Sequence, residues 1–217
     1  MSDSPVAWPD DAAEMTLRST KTSPFGRKVR IAAHALGLSD AIRIIPADTL
    51  DEQDTLRTQN PLGKMPCLIL KDGTALYDSR VIIEYLDSLS GKYMLIPREG
   101  MERYTALTRA TLADGIADAA LLMVYENRFR EPSQISDRWL LHQRGKVMRA
   151  LAAFEREPIR PELMDIVSIS LACALGYLDW RKPVEWRDNH SWLVDWLGSF
   201  AVHQPAFLRT DPLQEIP

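Results

Sequence analysis

Cysteine is scarce in this chain. Its 217 residues include two, Cys67 and Cys173, which form neither a CxxC motif nor any zinc-ligand spacing. Both are expected to be buried, reduced thiols of a cytoplasmic protein, with no structural disulfide. Histidine is almost as thin: His34, His142, His190 and His203 show no ligand spacing, each reads as a surface or satisfied helix residue, and no metal site is expected. An excess of positive charge is missing too. Lys and Arg total 26 against 30 Asp and Glu, a net charge of −4, which argues against nucleic acid or an acidic membrane surface as a partner. No apolar run is long enough to span a bilayer; the most apolar window, Leu163 to Leu178, carries Asp165 near its start and reads as a buried core helix. The first fourteen residues, MSDSPVAWPDDAAE, lack the basic and apolar regions of a secretory leader and are expected to form a flexible extension.

What is present is a hydrophobic content of 46%, ordinary for a globular protein and enough for one large or two small domains. The chain has two halves with different patterns. From Met15 to about residue 91, strand-like and helix-like segments alternate, as in a small α/β domain. Met15 to Ser19 reads as a strand. Ser23-Pro24 is a strong helix start, because Ser accepts from orphan backbone N–H groups and Pro gives up only a donor that the first turn cannot use. The helix presents Phe25, Val29, Ala32, Ala33 and Leu36 on one face and stops at Gly37. Arg27, Lys28, Arg30 and His34 fall largely elsewhere, and the Arg27-Lys28-Arg30 cluster reads as a solvated face.

Ile42 to Pro46 is a second short strand, followed by a polar stretch with an irregular helix from Ala47 to Gln59. Cys67 to Leu70, the turn Lys71-Asp72-Gly73, and Thr74 to Tyr77 read as a β-hairpin. Ser79 to Leu89 closes the domain as a helix burying Val81, Ile82, Tyr85, Leu86 and Leu89. Residues 92–100 look like a linker. Beyond them strand signals vanish, and 101–217 reads as an all-helical domain with helices near Met101 to Arg130, Ile135 to Glu157, Leu163 to Arg181 and His190 to His203.

Three motifs in the first half carry chemistry. Ser23-Pro24-Phe25-Gly26-Arg27-Lys28-Val29-Arg30 puts a hydroxyl at the mouth of a helix, a good place to hold a thiolate. Asn60-Pro61-Leu62-Gly63-Lys64-Met65-Pro66 stands directly before a strand. If Met65-Pro66 is cis, the Met65 main chain faces outward and can pair with an extended peptide-like ligand as an added strand would. Tyr77-Asp78-Ser79 opens the next helix, where Ser79 and free N–H groups suit a carboxylate and Asp78 suits an ammonium group. Taken singly, each motif also reads as plain capping or a loop end.

In this order and spacing, with an all-helical half behind them, the three motifs resemble the glutathione S-transferase family, from Met15 to the end of the chain. Leu163-Met164-Asp165-Ile166 resembles the start of the family's buried core helix, and Gln204 to Pro212 its terminal segment. Asp114 to Ala119 is similar to a segment of a bacterial branch. Departures are Glu162 where Ser or Thr is usual, which weakens the expected capping box, Gln204 where Arg is common, and Ser23 where omega- and beta-like relatives place Cys.

The resemblance implies a thioredoxin-like N-terminal domain followed by an all-helical one, and a cytoplasmic homodimeric transferase of the detoxifying kind. Its co-substrate would be glutathione, added to a small hydrophobic electrophile, with glutathione-dependent peroxidase side activity allowed. Ser23, or Thr22 if the strand ends one residue earlier, would contact the thiolate. Phe25, Lys64, Met65, Pro66, Asp78 and Ser79 would hold the tripeptide, and Asp114 is the candidate to reach the γ-glutamyl amine of a neighbouring subunit, although Asp114 and Asp118 also read as a solvated edge. The electrophile is expected between the first helix and the long helix after Met101, near Phe25, Tyr104 and Tyr125. A noncatalytic scaffold that binds a protein partner, as in stringent-starvation-type relatives, is the alternative. Thiol-disulfide exchange is disfavoured by the lack of Cys at positions 22 and 23.

Overall fold

The structure is a computed structural model that describes residues 14–212. The extension expected over the first fourteen residues therefore lies outside the described residues, apart from Glu14, whose carboxylate meets Lys71 Nζ at 2.7 Å. Contacts divide the described residues into two compact units, one of residues 14–98 with 209–212 and one of residues 99–208.

In the first unit, β1 (Met15–Arg18), β2 (Ile42–Ile45), β3 (Cys67–Ile69) and β4 (Ala75–Leu76) form one mixed sheet in the order β2-β1-β3-β4. β1 runs parallel to β2, pairing Leu17 with Ile44, and antiparallel to β3, pairing Leu17 with Leu68. Parallel pairing needs a crossover, and α1 (Pro24–Leu36) supplies it. The β3–β4 hairpin closes as its Asp-Gly turn requires: Gly73 has φ 86° and its N–H reaches Leu70 O at 3.0 Å. α2 (Leu56–Gln59) precedes β3, and α3 (Ser79–Leu89) packs against α1. Leu17, Val29, Ile31, Leu68, Ile82 and Leu86 are fully buried at the centre.

Two details of this unit differ from the sequence reading. Arg27 and Lys28 are buried, at 4% and 1% exposure, and are not part of a solvated face. Arg27 Nε donates to Thr210 Oγ1 at 3.3 Å, a partner 183 residues away; the long apolar stems of such side chains pack inward while their heads find polar partners. On α3 the buried stripe is Ile82, Ile83 and Leu86, whereas Val81 is exposed and Tyr85 and Leu89 are half-buried.

The second unit is helical: α4 (Gly100–Phe129), α5 (Asp137–Arg156), α6 (Ile166–Arg181) and α7 (Ser191–His203), with α8 (Pro205–Arg209) leading into the terminal segment. α6 is the core helix the apolar window foretells, buried without a break from Ile166 to Leu175 and packed against α4. Its capping box is complete despite Glu162. Asp165 Oδ1 accepts from Ser168 N at 2.8 Å, and Ser168 Oγ accepts from Asp165 N at 3.0 Å, so Ser168 does what an upstream Ser or Thr was expected to do. His190 is buried and its Nδ1 lies 2.7 Å from Glu155 Oε2. Among the described residues, no helix is long and apolar enough to cross a membrane.

Candidate functional site

Ser23 is the N-cap of α1. Its backbone is extended, Pro24 follows at the first helical position, and its Oγ accepts from Gly26 N at 3.1 Å. No acidic residue lies in the first turn, so no carboxylate of that turn offsets the partial positive charge of the helix end. Gly26 is required here by close approach: a Cβ on it would fall 1.8 Å from Ser19 Oγ. Ser19 is itself buried and donates to Thr20 O at 3.3 Å, and the same carbonyl accepts from Ser23 N at 3.4 Å. The strand-to-helix turn is thus pinned from both sides.

The Thr22 side chain is exposed and 3.1 Å from Thr20 Oγ1. Thr20 Oγ1 in turn donates to Met65 Sδ at 3.4 Å, joining the first motif to the second. The Met65-Pro66 bond is cis, as is Tyr77-Asp78. Met65 is half-buried against the cluster of Ala47, Leu56 and Cys67, Pro66 is buried, Lys64 is exposed and Phe25 is half-buried. Burial pushes the Cys67 thiol up, against the pull of Arg18, so it stands as a thiol packed under the loop.

The loop holding Met65 is shaped by two residues outside the expected site set, Asn60 and Arg18. Asn60 is 1% exposed; its Nδ2 donates to Lys64 O at 2.8 Å and its Oδ1 accepts from Leu62 N at 3.1 Å. Upstream, buried Arg18 at the end of β1 gathers the whole segment. It donates to Asp54 Oδ1 at 2.6 Å, Thr55 Oγ1 at 2.7 Å, Gln59 Oε1 at 2.9 Å and Pro46 O at 3.1 Å. A signal for Asn60 existed, since Asn ahead of Pro in a turn caps its own loop. Arg18 gave none, because a charge in a strand looks solvent-facing.

At the third motif, the N-cap of α3 is Asp78, with Oδ1 accepting from Arg80 N at 3.0 Å, while Ser79 is buried in the first turn. Arg80 also forks onto the carboxylate, Nη2 to Oδ2 at 2.7 Å. Desolvation pushes the Asp78 carboxyl up, but the Arg80 hydrogen bonds and the charges of Arg80 and buried Lys28 outweigh it, and the net displacement is downward.

The remaining candidates belong to the second unit. Asp114 is 6% exposed on α4, whereas Asp118 is exposed, so the two do not form a solvated edge. Tyr104 is 63% exposed, and Tyr125 meets Phe129 edge-on at 5.1 Å.

A four-stranded mixed sheet with its crossover helix, a cis-proline loop before β3 and a helical unit behind it define a protein of thioredoxin-like plus all-helical architecture. The family model for the glutathione S-transferase N-terminal domain matches residues 22–89. A GST-like protein of Escherichia coli K12, YibF, is 31% identical over 204 residues, covering 91% of this chain and 98% of that one. A glutathione transferase family member from Pseudomonas fluorescens Pf-5, solved with bound glutathione, is 43% identical with a TM-score of 0.85, covering 92% of this chain and all of the other. Another, from Methylobacillus flagellatus KT with glutathione bound, is 32% identical with a TM-score of 0.83 over 92% of this chain and 100% of that chain. The chain belongs to the glutathione S-transferase family.

Proposed function

We propose that this protein is a glutathione transferase that binds glutathione, holds its thiol as the thiolate, and directs it onto a small hydrophobic electrophile. The observation that carries this reading is the Ser23 hydroxyl: its oxygen is taken by Gly26 N–H, and among the described residues its proton meets no acceptor. The glutathione seen in the Pseudomonas relative at 43% identity supports it.

The tripeptide supplies the nucleophilic sulfur, whose thiol is only a few per cent ionised at neutral pH if its pKa is near the cysteine reference of about 8.5. Lowering that pKa by about two units requires about 2.7 kcal/mol of preference for the anion. A hydrogen bond from Ser23 to a charged acceptor is worth about 1.5–3 kcal/mol, and the α1 N-terminus adds about 0.3–1 kcal/mol. The two together reach the required size. Ser23 acts as a donor here, not as a nucleophile or base. Met65 would offer its main chain to the cysteinyl unit, flanked by Phe25, Lys64 and Pro66. Ser79 and the first-turn N–H groups of α3 would take the γ-glutamyl carboxylate, and Asp78 its ammonium, sharing the carboxylate with Arg80. The reading extends to a cytoplasmic homodimer, with Asp114 serving the neighbouring copy.

Calorimetric titration of glutathione, paired with thioether formation on an aromatic halide, tests the proposal. Binding with turnover supports it, and absence of binding defeats it. Binding without turnover would favour the scaffold reading, for which a specific observation exists: a stringent starvation protein A homolog of Histophilus somni is 36% identical over 73 residues, 34% of this chain.

A further inference from the structure

Two hydroxyls, Thr22 and Ser23, stand side by side at the mouth of α1, and a proton count separates them. Thr20 Oγ1 has one proton, and it is directed at Met65 Sδ, 3.4 Å away. The 3.1 Å contact between Thr20 and Thr22 can be made by either hydroxyl; the arrangement that makes both contacts at once has Thr20 donating to Met65 Sδ and Thr22 donating to Thr20. Thr22's only hydroxyl proton is thereby turned back toward the strand end. Ser23 is in the opposite condition, since its oxygen accepts from Gly26 N at 3.1 Å and that bond uses a lone pair. Its proton stays available.

From this we propose that Thr20 is a positioning residue. By donating to Met65 Sδ it draws Thr22's proton away from the ligand and leaves Ser23 as the sole hydroxyl donor to the bound thiolate. The inference rests on the glutathione reading above and goes beyond it by assigning the choice of donor to a residue outside the set proposed to hold the tripeptide. It also gives the Met65 side chain a task separate from that of its main chain: the thioether, a weak acceptor, orients the relay from the cis-proline loop. Met65→Leu is then equivalent to removing Thr20's hydroxyl acceptor, and lets Thr20 donate to Thr22 instead.

The experiment is an ultraviolet titration of bound glutathione's thiolate across pH, in the full chain. Ser23→Ala raises the thiolate pKa by about one unit or more. Adding Thr20→Val to Ser23→Ala frees Thr22's proton and brings the pKa back down by about half a unit, a shift that mere loosening of the loop would not produce. Thr20→Ser in the same background, which keeps the hydroxyl and the relay, leaves the pKa where Ser23→Ala put it. If Thr20→Val leaves the Ser23→Ala value unmoved, or raises it further, the relay is refuted. Absence of glutathione binding by the wild-type protein would instead refute the functional reading on which the relay stands. Thr20 is half-buried at a loop, and melting curves of both Thr20 variants confirm that the comparison is between folded proteins.

Discussion

Removing the Asp54 carboxylate should cost this protein more stability than any single surface change, because of what it leaves behind. Asp54 accepts three close hydrogen bonds: from Arg18 Nη2 at 2.6 Å, Leu56 N at 2.7 Å and Asp48 N at 2.7 Å. The side chains of the pair are 7% and 10% exposed, so in Asp54→Ala a guanidinium remains buried without its counter-charge. Breaking a buried pair in this way costs about 3–5 kcal/mol. For a chain of this size that lowers the melting temperature by about 6–20 °C, at about 2–4 °C per kcal/mol. The assay is thermal and urea unfolding followed by circular dichroism. A paired replacement, Arg18→Met with Asp54→Leu, should recover most of the loss, since the penalty comes from the orphaned charge. The pH arm has a definite sign. Hydrogen bonds from Asp48 and Leu56 N–H, ahead of the Arg18 contribution, hold the Asp54 carboxyl below its usual value. Its stabilising effect is therefore whole above the unfolded value of about 4 and is lost as pH falls through the lower folded value. Asp54→Asn should lack that acid-side loss. A cost for Asp54→Ala below about 1 kcal/mol, the worth of a surface pair, would mean that Arg18 does not depend on Asp54 as its buried counter-charge.

Other outcomes follow from single contacts. Asn60→Ala removes the donor to Lys64 O and the acceptor for Leu62 N; it should destabilise by about 1–3 kcal/mol and weaken glutathione binding, read by calorimetry, because the Met65 loop loses its brace. Gly26→Ala forces a Cβ onto Ser19 Oγ and should cost about 1–3 kcal/mol as overpacking, with Ser19→Gly restoring part of it in unfolding curves. Asp165→Ala opens the α6 capping box and should cost about 0.5–2 kcal/mol, with no change in glutathione affinity.

The helices were legible because their punctuation is local. Ser23-Pro24 and Gly37 bound α1 as written, and the Asp-Gly pair closed the hairpin. Charge was what misled. Arg27 and Lys28 lie off the apolar face by spacing, yet they are buried, and nothing near them in sequence announces Thr210 as the partner that Arg27 finds. Arg18 was invisible for the same reason: its four acceptors lie 28 to 41 residues on, and a strand residue's inward or outward sense depends on the sheet. On α3, Val81 and Ile83 are both β-branched apolar residues two positions apart, on roughly opposite faces of the helix, so composition could not choose between them; packing against α1 did. The site shows the same division. Ser23 as cap and Asp78 at a helix start were readable, whereas the cis bond ahead of Pro66 was only one of two alternatives in the sequence, and the Thr20 contact that joins Thr22 to Met65 exists only once β1 and β3 are paired.

Whether the Ser23 hydroxyl stabilises the thiolate of bound glutathione is measured directly by the thiolate's ultraviolet absorbance against pH. The wild-type complex should titrate about two units below free glutathione, and Ser23→Ala should give back at least about one of them, with the folded state checked by melting because the cap itself is worth about 1 kcal/mol. Identical titration curves for the two complexes would mean that Ser23 does not stabilise the thiolate.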